Sequence, residues 1–230
     1  MSIDPILITK TNEALRIFEE FMRSQPVPTD EASGRFYHIV TALADAVKMN
    51  YDVLRMALGN DDQTTMAWAC RNLLELAIFT KFVLASEANA NEFAADRLID
   101  AKQIGINLKR LEFSLNPDLT TSAFDVLIDR VNEQMKAEGV TRNRYLSTRE
   151  LAAQVGLLDD FEAMNQVCSK FVHPTAWSIF TAELGSARFP DARDIFYTCG
   201  AQYSATVMAE IMPHIGKWGL RHKPQDSAAQ

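Results

Sequence analysis

Glycine and proline are scarce, at nine and eight of 230 residues. Most fall between periodic segments, where helix boundaries belong. Cysteine is scarcer still. Cys70, Cys168 and Cys199 are odd in number and far apart in sequence, which argues against a disulfide framework, and no Cys-x-x-Cys exists to hold zinc. Each lies in an apolar helical stretch, where a free thiol behaves as a small hydrophobe. No GxGxxG, GxxxxGK[ST], GxSxG or HExxH occurs, and no pair of Glu-x-x-His motifs suggests a di-iron bundle. The expectation is therefore no cofactor and no metal. The opening Met1-Ser2-Ile3-Asp4 has no basic region followed by an apolar run, so no signal peptide is expected. The most apolar stretch, Met66 to Leu84, contains Arg71, Glu75 and Lys81, which disfavours a bilayer span. These absences point to a cytoplasmic chain without a membrane anchor.

What is present is helical pattern. Apolar residues make up 47%, a globular composition. Lys and Arg total 23 against 30 Asp and Glu, a net charge of −7 that disfavours binding nucleic acid through the whole surface. A first helix starts near Pro5 and ends before Ser24-Gln25-Pro26. A second runs from about Glu31 to Leu58, with Phe36, Val40, Leu43, Val47, Asn50, Leu54 and Ala57 on one stripe. Asp61 or Asp62 can cap a third that reaches about Ala85. The fourth, roughly Ala88 to Phe113, is expected to turn Phe93, Ala94, Leu98, Ala101, Ile104, Leu108 and Leu111 inward. A fifth ends at Gly139, a short one opens at Ser147-Thr148-Arg149-Glu150, and another runs from Asp159 to His173. The last starts near Pro190. It carries Phe196, Cys199, Tyr203, Val207, Ile211, Ile215 and Trp218. No alternation marks a strand, and no repeat or long linker divides the chain. The expectation is all-α: a single-domain bundle over residues 1–218 of five or more long helices with short connecting ones, then a flexible tail over 219–230.

Two segments carry candidate chemistry. On the third helix, Arg71 and Glu75 are four residues apart and share a face. That helix reads as apolar on every side, so Arg71 is expected to be largely buried and paired. The pair is either a structural ion pair or the lining of a pocket. The second segment is Cys168-Ser169-Lys170-Phe171-Val172-His173-Pro174. Proline biases His173 away from helical geometry and presents a titratable ring at a helix end. His173 either works chemically or ends a solvated stripe. Cys168, with Phe161, Met164 and Phe171 around it, reads as a core position. A basic loop, Lys136, Arg142, Arg144 and Arg149 with Tyr145, could contact phosphate or simply face water.

Arg71-Asn72-Leu73-Leu74-Glu75, with the later Ser169-x-x-x-His173, resembles a family of bacterial helical domains of unknown function, and more distantly the HEPN-type helical fold. The resemblance covers roughly Glu31 to Phe180. It implies a helical domain and, among HEPN members, metal-independent ribonucleases of toxin and anti-phage systems. Those nucleases carry an Arg followed by His after about four to six residues on the same helix, and no Arg here has that relation to a His, Arg35 and His38 being too close.

The expected function is that of a binding or interaction domain with a polar focus at Arg71, Glu75 and His173, and Ser169 and Lys170 as its binding residues. It would take a small ligand or a protein partner. The alternatives are a HEPN-like ribonuclease or phosphoester hydrolase, with His173 as acid–base, Arg71 as charge stabiliser and Glu75 orienting it, and a dimeric regulator. A homodimer through the last helix is expected.

Overall fold

The structure is a computed structural model describing residues 5–25, 28, 31–142, 144–173 and 190–221, with side chains left aside at 31–33, 190–191 and 216–221. The described residues form eight α-helices and no strand: α1 Pro5–Ser24, α2 Glu31–Gly59, α3 Gln63–Ala85, α4 Glu87–Leu115, α5 Asp125–Ala137, α6 Thr148–Gln154, α7 Leu158–Val172 and α8 Pro190–Arg221. The all-α bundle expected from helical periodicity is therefore the architecture observed. Contacts divide the chain into two compact units, one holding α1–α3 and α6–α8, the other spanning 86–147.

The first unit is organised around α3. Asp62 opens it: Oδ1 accepts from the Thr65 backbone N–H at 3.0 Å and Oδ2 from the Thr65 hydroxyl at 2.6 Å. A helix this apolar must be covered on most sides, and α2, α6, α7 and α8 all pack on it. The last helix spends its stripe here. Phe196, Tyr203, Val207, Ile211 and Ile215 are buried, and Cys199 is partly so. This corrects the expectation that the stripe of α8 pairs two copies. Its apolar face is consumed by the core of its own unit, and the side chain of Trp218 lies outside the described residues. Helices α3 and α8 meet closely at Gly200, where a Cβ would stand 3.7 Å from the Cα of Cys70. The hydroxyls of Tyr51 on α2 and Tyr197 on α8 lie 2.7 Å apart in the buried interior, and Tyr51 also donates to Asn12 of α1 at 3.3 Å.

The second unit is a two-helix hairpin. Ser86 caps α4 by accepting from the Asn89 N–H at 3.1 Å. Leu98 and Ile99 pack on Val131 and Met135, with Ala101 and Val140 at the edge. Gly105 lets α5 approach, since a Cβ there would sit 3.0 Å from Ile128 Cγ1. Gly139, at φ +68°, ends α5 in the left-handed region, and the Val140 N–H then donates to the Met135 carbonyl at 2.8 Å. Two helices can bury one face each. The expected inward stripe of α4 is accordingly split: Leu98 and Ala101 are covered or partly covered, whereas Ile104, Leu108 and Leu111 face outward.

Candidate functional site

The Arg71 Nε–H donates to Glu75 Oε1 at 3.0 Å across one turn of α3. Beside it the Asn72 side-chain amide donates to Asn50 Oδ1 of α2, also at 3.0 Å. The pair is not sealed in the core. Its side chains keep 33% and 25% of their exposure, so the expected deep burial of Arg71 is corrected to half-burial. The cause is a narrow strip along α3, with Trp68, Arg71, Asn72, Glu75, Leu76 and Phe79 exposed or half-exposed at helical spacing. The apolar composition of α3 hides this strip, because Trp68, Leu76 and Phe79 belong to it.

The other candidates cluster at the end of α7. His173 is exposed and caps the helix in extended geometry, φ −105° and ψ 144°, as the residue before a proline should. Its N–H donates to the Ser169 carbonyl at 3.1 Å. The Ser169 hydroxyl donates to the Gln166 carbonyl at 2.9 Å, so its proton is committed within the helix. Lys170 is exposed in the last turn, where a cation complements the helix dipole. The Phe171 ring meets Phe196 edge-on at 4.9 Å between centroids, which fastens this end of α7 to α8. Arg71 and Glu75 are thus joined directly. Arg71 also acts on Cys168, on the inner side of α7, and His173 stands more than one turn further along the same helix. Pro174 to Trp177, the rest of that motif, lies outside the described residues.

The convergence of the three cysteines was not foreseen. They come from α3, α7 and α8, remain unbridged, and interact in one core. The Cys70 thiol is pushed well up, first by its hydrogen bond with Cys168 and then by burial. Cys168 is held below the ordinary thiol value by that bond and by the Arg71 charge, against the pull of burial. Burial, then Asp160 and Cys168, raises Cys199. Tyr203 closes the cluster by donating to Asp160 Oδ1 at 3.4 Å. A signal existed: each cysteine sits in an apolar stretch of its helix, and such stretches pack on one another. Cys70 and Cys168 are fully covered, so this is interior packing without substrate access.

The basic loop is largely committed. Arg142 donates to the Glu92 carbonyl at 2.6 Å and to the Arg144 carbonyl at 3.2 Å, and pairs with Asp96. The Leu146 N–H completes this clamp on Asp96 Oδ2 at 3.0 Å. Burial nevertheless raises the Asp96 carboxyl above its usual range. Arg149 is held by Glu162. Among the described residues no group of three or more His, Cys, Asp or Glu is placed to hold a metal. No described helix is long and apolar enough to cross a membrane.

Two apolar surfaces stand out among the described residues. A groove of about 240 Å³ lies between α1 and α2, with Leu15, Phe18 and Tyr37 in its lining and Glu19 at its rim, pairing with Lys48 at 3.2 Å. The other is the outward face of α4, where Ile104, Leu108, Leu111 and Leu115 are exposed at 56%, 37%, 54% and 71%. No protein-family model, curated protein or solved structure matches this chain.

Proposed function

We propose that this chain is a helical interaction domain, cytoplasmic and dimeric, whose working surface is the apolar face of α4. One observation carries the reading. Four large aliphatic side chains, at spacings of four, three and four, stand in water along one helix. Single exposed leucines are ordinary, but a contiguous apolar stripe costs solubility and marks a surface made to be covered. The three unbridged thiols support a reducing compartment. The Arg71–Glu75 pair then has a local role, holding the half-exposed strip of α3 in one geometry. The groove between α1 and α2 is the place for a small ligand in the same reading.

The test is photo-crosslinking in cells from position 108, with position 132 on the exposed side of α5 as control. Protein-sized adducts from 108 and none from 132 are expected. No adduct from either position would sink the reading.

A hydrolase of HEPN-like type is the second reading. It is supported by the partial exposure of Arg71 and Glu75 and by the exposed ring of His173 on a helix packed against α3. Arg71 would stabilise developing charge and His173 would move the proton. Cleavage of diverse RNAs by clean protein in chelator, falling about 10²–10⁴-fold in His173→Ala, is its required result. Absence of cleavage removes it.

A further inference from the structure

We propose that the occupant of the α4 face is a second copy of this chain, paired antiparallel about a two-fold axis passing between Leu108 and Leu111. This rests on the reading of that face as an interaction surface and adds the partner and its orientation.

The spacing is the first ground. The positions 104, 108, 111 and 115 repeat every three or four residues, the period of a helix–helix seam. The order four-three-four is the same read in either direction. An antiparallel copy therefore sets Ile104 against Leu115 and Leu108 against Leu111, with no apolar side chain left over. A two-fold interface must be complementary to itself, and this stripe is.

The flanks are the second ground. A surface that pairs with itself brings identical groups together, so charged flanks near the axis would repel. On the outer side of the stripe the exposed row is Asp100, Gln103, Asn107, Arg110 and Ser114, in which Gln103, Asn107 and Ser114 are uncharged and Arg110 stands further round the helix from the stripe. Asp100 would meet its own copy in a parallel pair, and antiparallel pairing carries the two to opposite ends of the seam.

Orientation follows from Arg97. It lies on the same stripe, seven residues before Ile104, and pairs with Glu138 at 2.7 Å while remaining mostly exposed. Parallel pairing would set Arg97 against its own copy. Antiparallel pairing carries the two to opposite ends of the seam and also opposes the helix dipoles.

Area sets the strength. Four partly exposed aliphatic side chains offer roughly 400 Å² of apolar surface per copy, a patch of the size that on monomers is often functional. That is about half of the 800 Å² per partner of a standard interface, so a weak, reversible dimer is expected, with a dissociation constant no tighter than about micromolar.

Sedimentation of the full chain across roughly 1–100 µM should show a mass rising from monomer toward dimer. Leu108→Asp with Leu111→Asp should stay monomeric throughout with unchanged far-UV circular dichroism, since both side chains are exposed. Orientation is read by cysteine crosslinking, with the wild-type chain as background. An equal mixture of Ile104→Cys and Leu115→Cys chains should form mainly the mixed disulfide under mild oxidant, and Ile104→Cys alone much less. A monomer at every concentration, a dimer indifferent to the double substitution, or dominant crosslinking of Ile104→Cys to itself would each overturn the proposal. Adducts from position 108 to a different protein, together with a monomeric purified chain, would defeat the second copy while leaving the α4 face as a binding surface.

Discussion

Gly200 tests whether the core of the first unit is packed as described. A Cβ on Gly200 would stand 2.5 Å from Leu54 Cδ2 and 3.3 Å from Leu73 Cδ1. Carbon atoms in good contact are about 3.5–4.0 Å apart, so the first distance is an overlap of roughly 1 Å. Leu54 and Leu73 are both fully buried, and neither methyl has open space to enter. Overpacking of this kind costs about 1–3 kcal/mol. Against it stands the gain of about 1 kcal/mol from replacing a mid-helix glycine with alanine. Gly200→Ala should therefore destabilise by about 1 kcal/mol net, lowering the melting temperature by roughly 2–4 °C for a chain of this size. Gly59 supplies the control, because a Cβ there meets nothing within 4 Å. Gly59→Ala should be neutral or slightly stabilising. The cause is isolated by adding Leu54→Ala, which alone costs about 2–5 kcal/mol. The double variant should be no less stable than Leu54→Ala by itself, because the clashing methyl has gone. Thermal and urea denaturation followed by circular dichroism compare the four variants with the wild type. A melting temperature that rises in Gly200→Ala, or additive losses in the double variant, would refute the close approach of α8 to α2 and α3.

Tyr51→Phe should cost about 1–3 kcal/mol by leaving the buried Tyr197 hydroxyl without its partner, and adding Tyr197→Phe should cost less than the sum of the two single losses. Burial raises both phenols above their ordinary value of 10.0, so the folded state holds protons that the unfolded state releases. Stability should fall as pH rises past about 10, with a smaller fall in the double phenylalanine variant in the same urea titration. Asp62→Ala should lose about 0.5–2 kcal/mol with the α3 cap. Hydrogen bonds from Thr65 hold the Asp62 carboxyl below its ordinary value of 3.8, so the cap contributes fully above that value and is lost as pH falls through the depressed one, which a wild-type-minus-variant comparison resolves. Arg71→Ala should cost about 0.3–1 kcal/mol, because its ion pair is a third exposed and joins residues one turn apart. A loss of 3 kcal/mol or more in that variant would mean that the strip along α3 is closed.

Helix existence was readable because punctuation and periodicity agreed. Asp62 caps α3, Gly139 ends α5 and Pro174 sets His173 extended, each for a local reason present in a few neighbouring residues. What periodicity leaves undetermined is which neighbour covers a stripe. The stripes of α4 and α8 look alike in sequence, at spacings of three and four. One is buried in the core around α3 and the other is open, because the first unit supplies several helices around α3 and the hairpin supplies only α5. A stripe in sequence is a demand for a partner, and the count of helices in each compact unit decides whether the chain meets that demand itself.

The candidate site shows the same division. Arg71 and Glu75 were legible as a pair because four residues along a helix is a local relation, and their hydrogen bond needs nothing else. Their degree of burial was not legible, since it depends on how α2 and α7 flank α3. The cysteines divide the same way. Each was read correctly as a small apolar filler, but 98 residues separate Cys70 from Cys168 and no local pattern links them. Only the packing of α7 and α8 on α3 brings the three together. Their contact then explains why Cys168, hydrogen-bonded to Cys70 and under the Arg71 charge, is the thiol held down, and burial closes it to substrate. Charge and thiol adjoin here, out of reach of water, whereas the exposed aliphatic stripe belongs to α4, whose hairpin has no further helix to cover it.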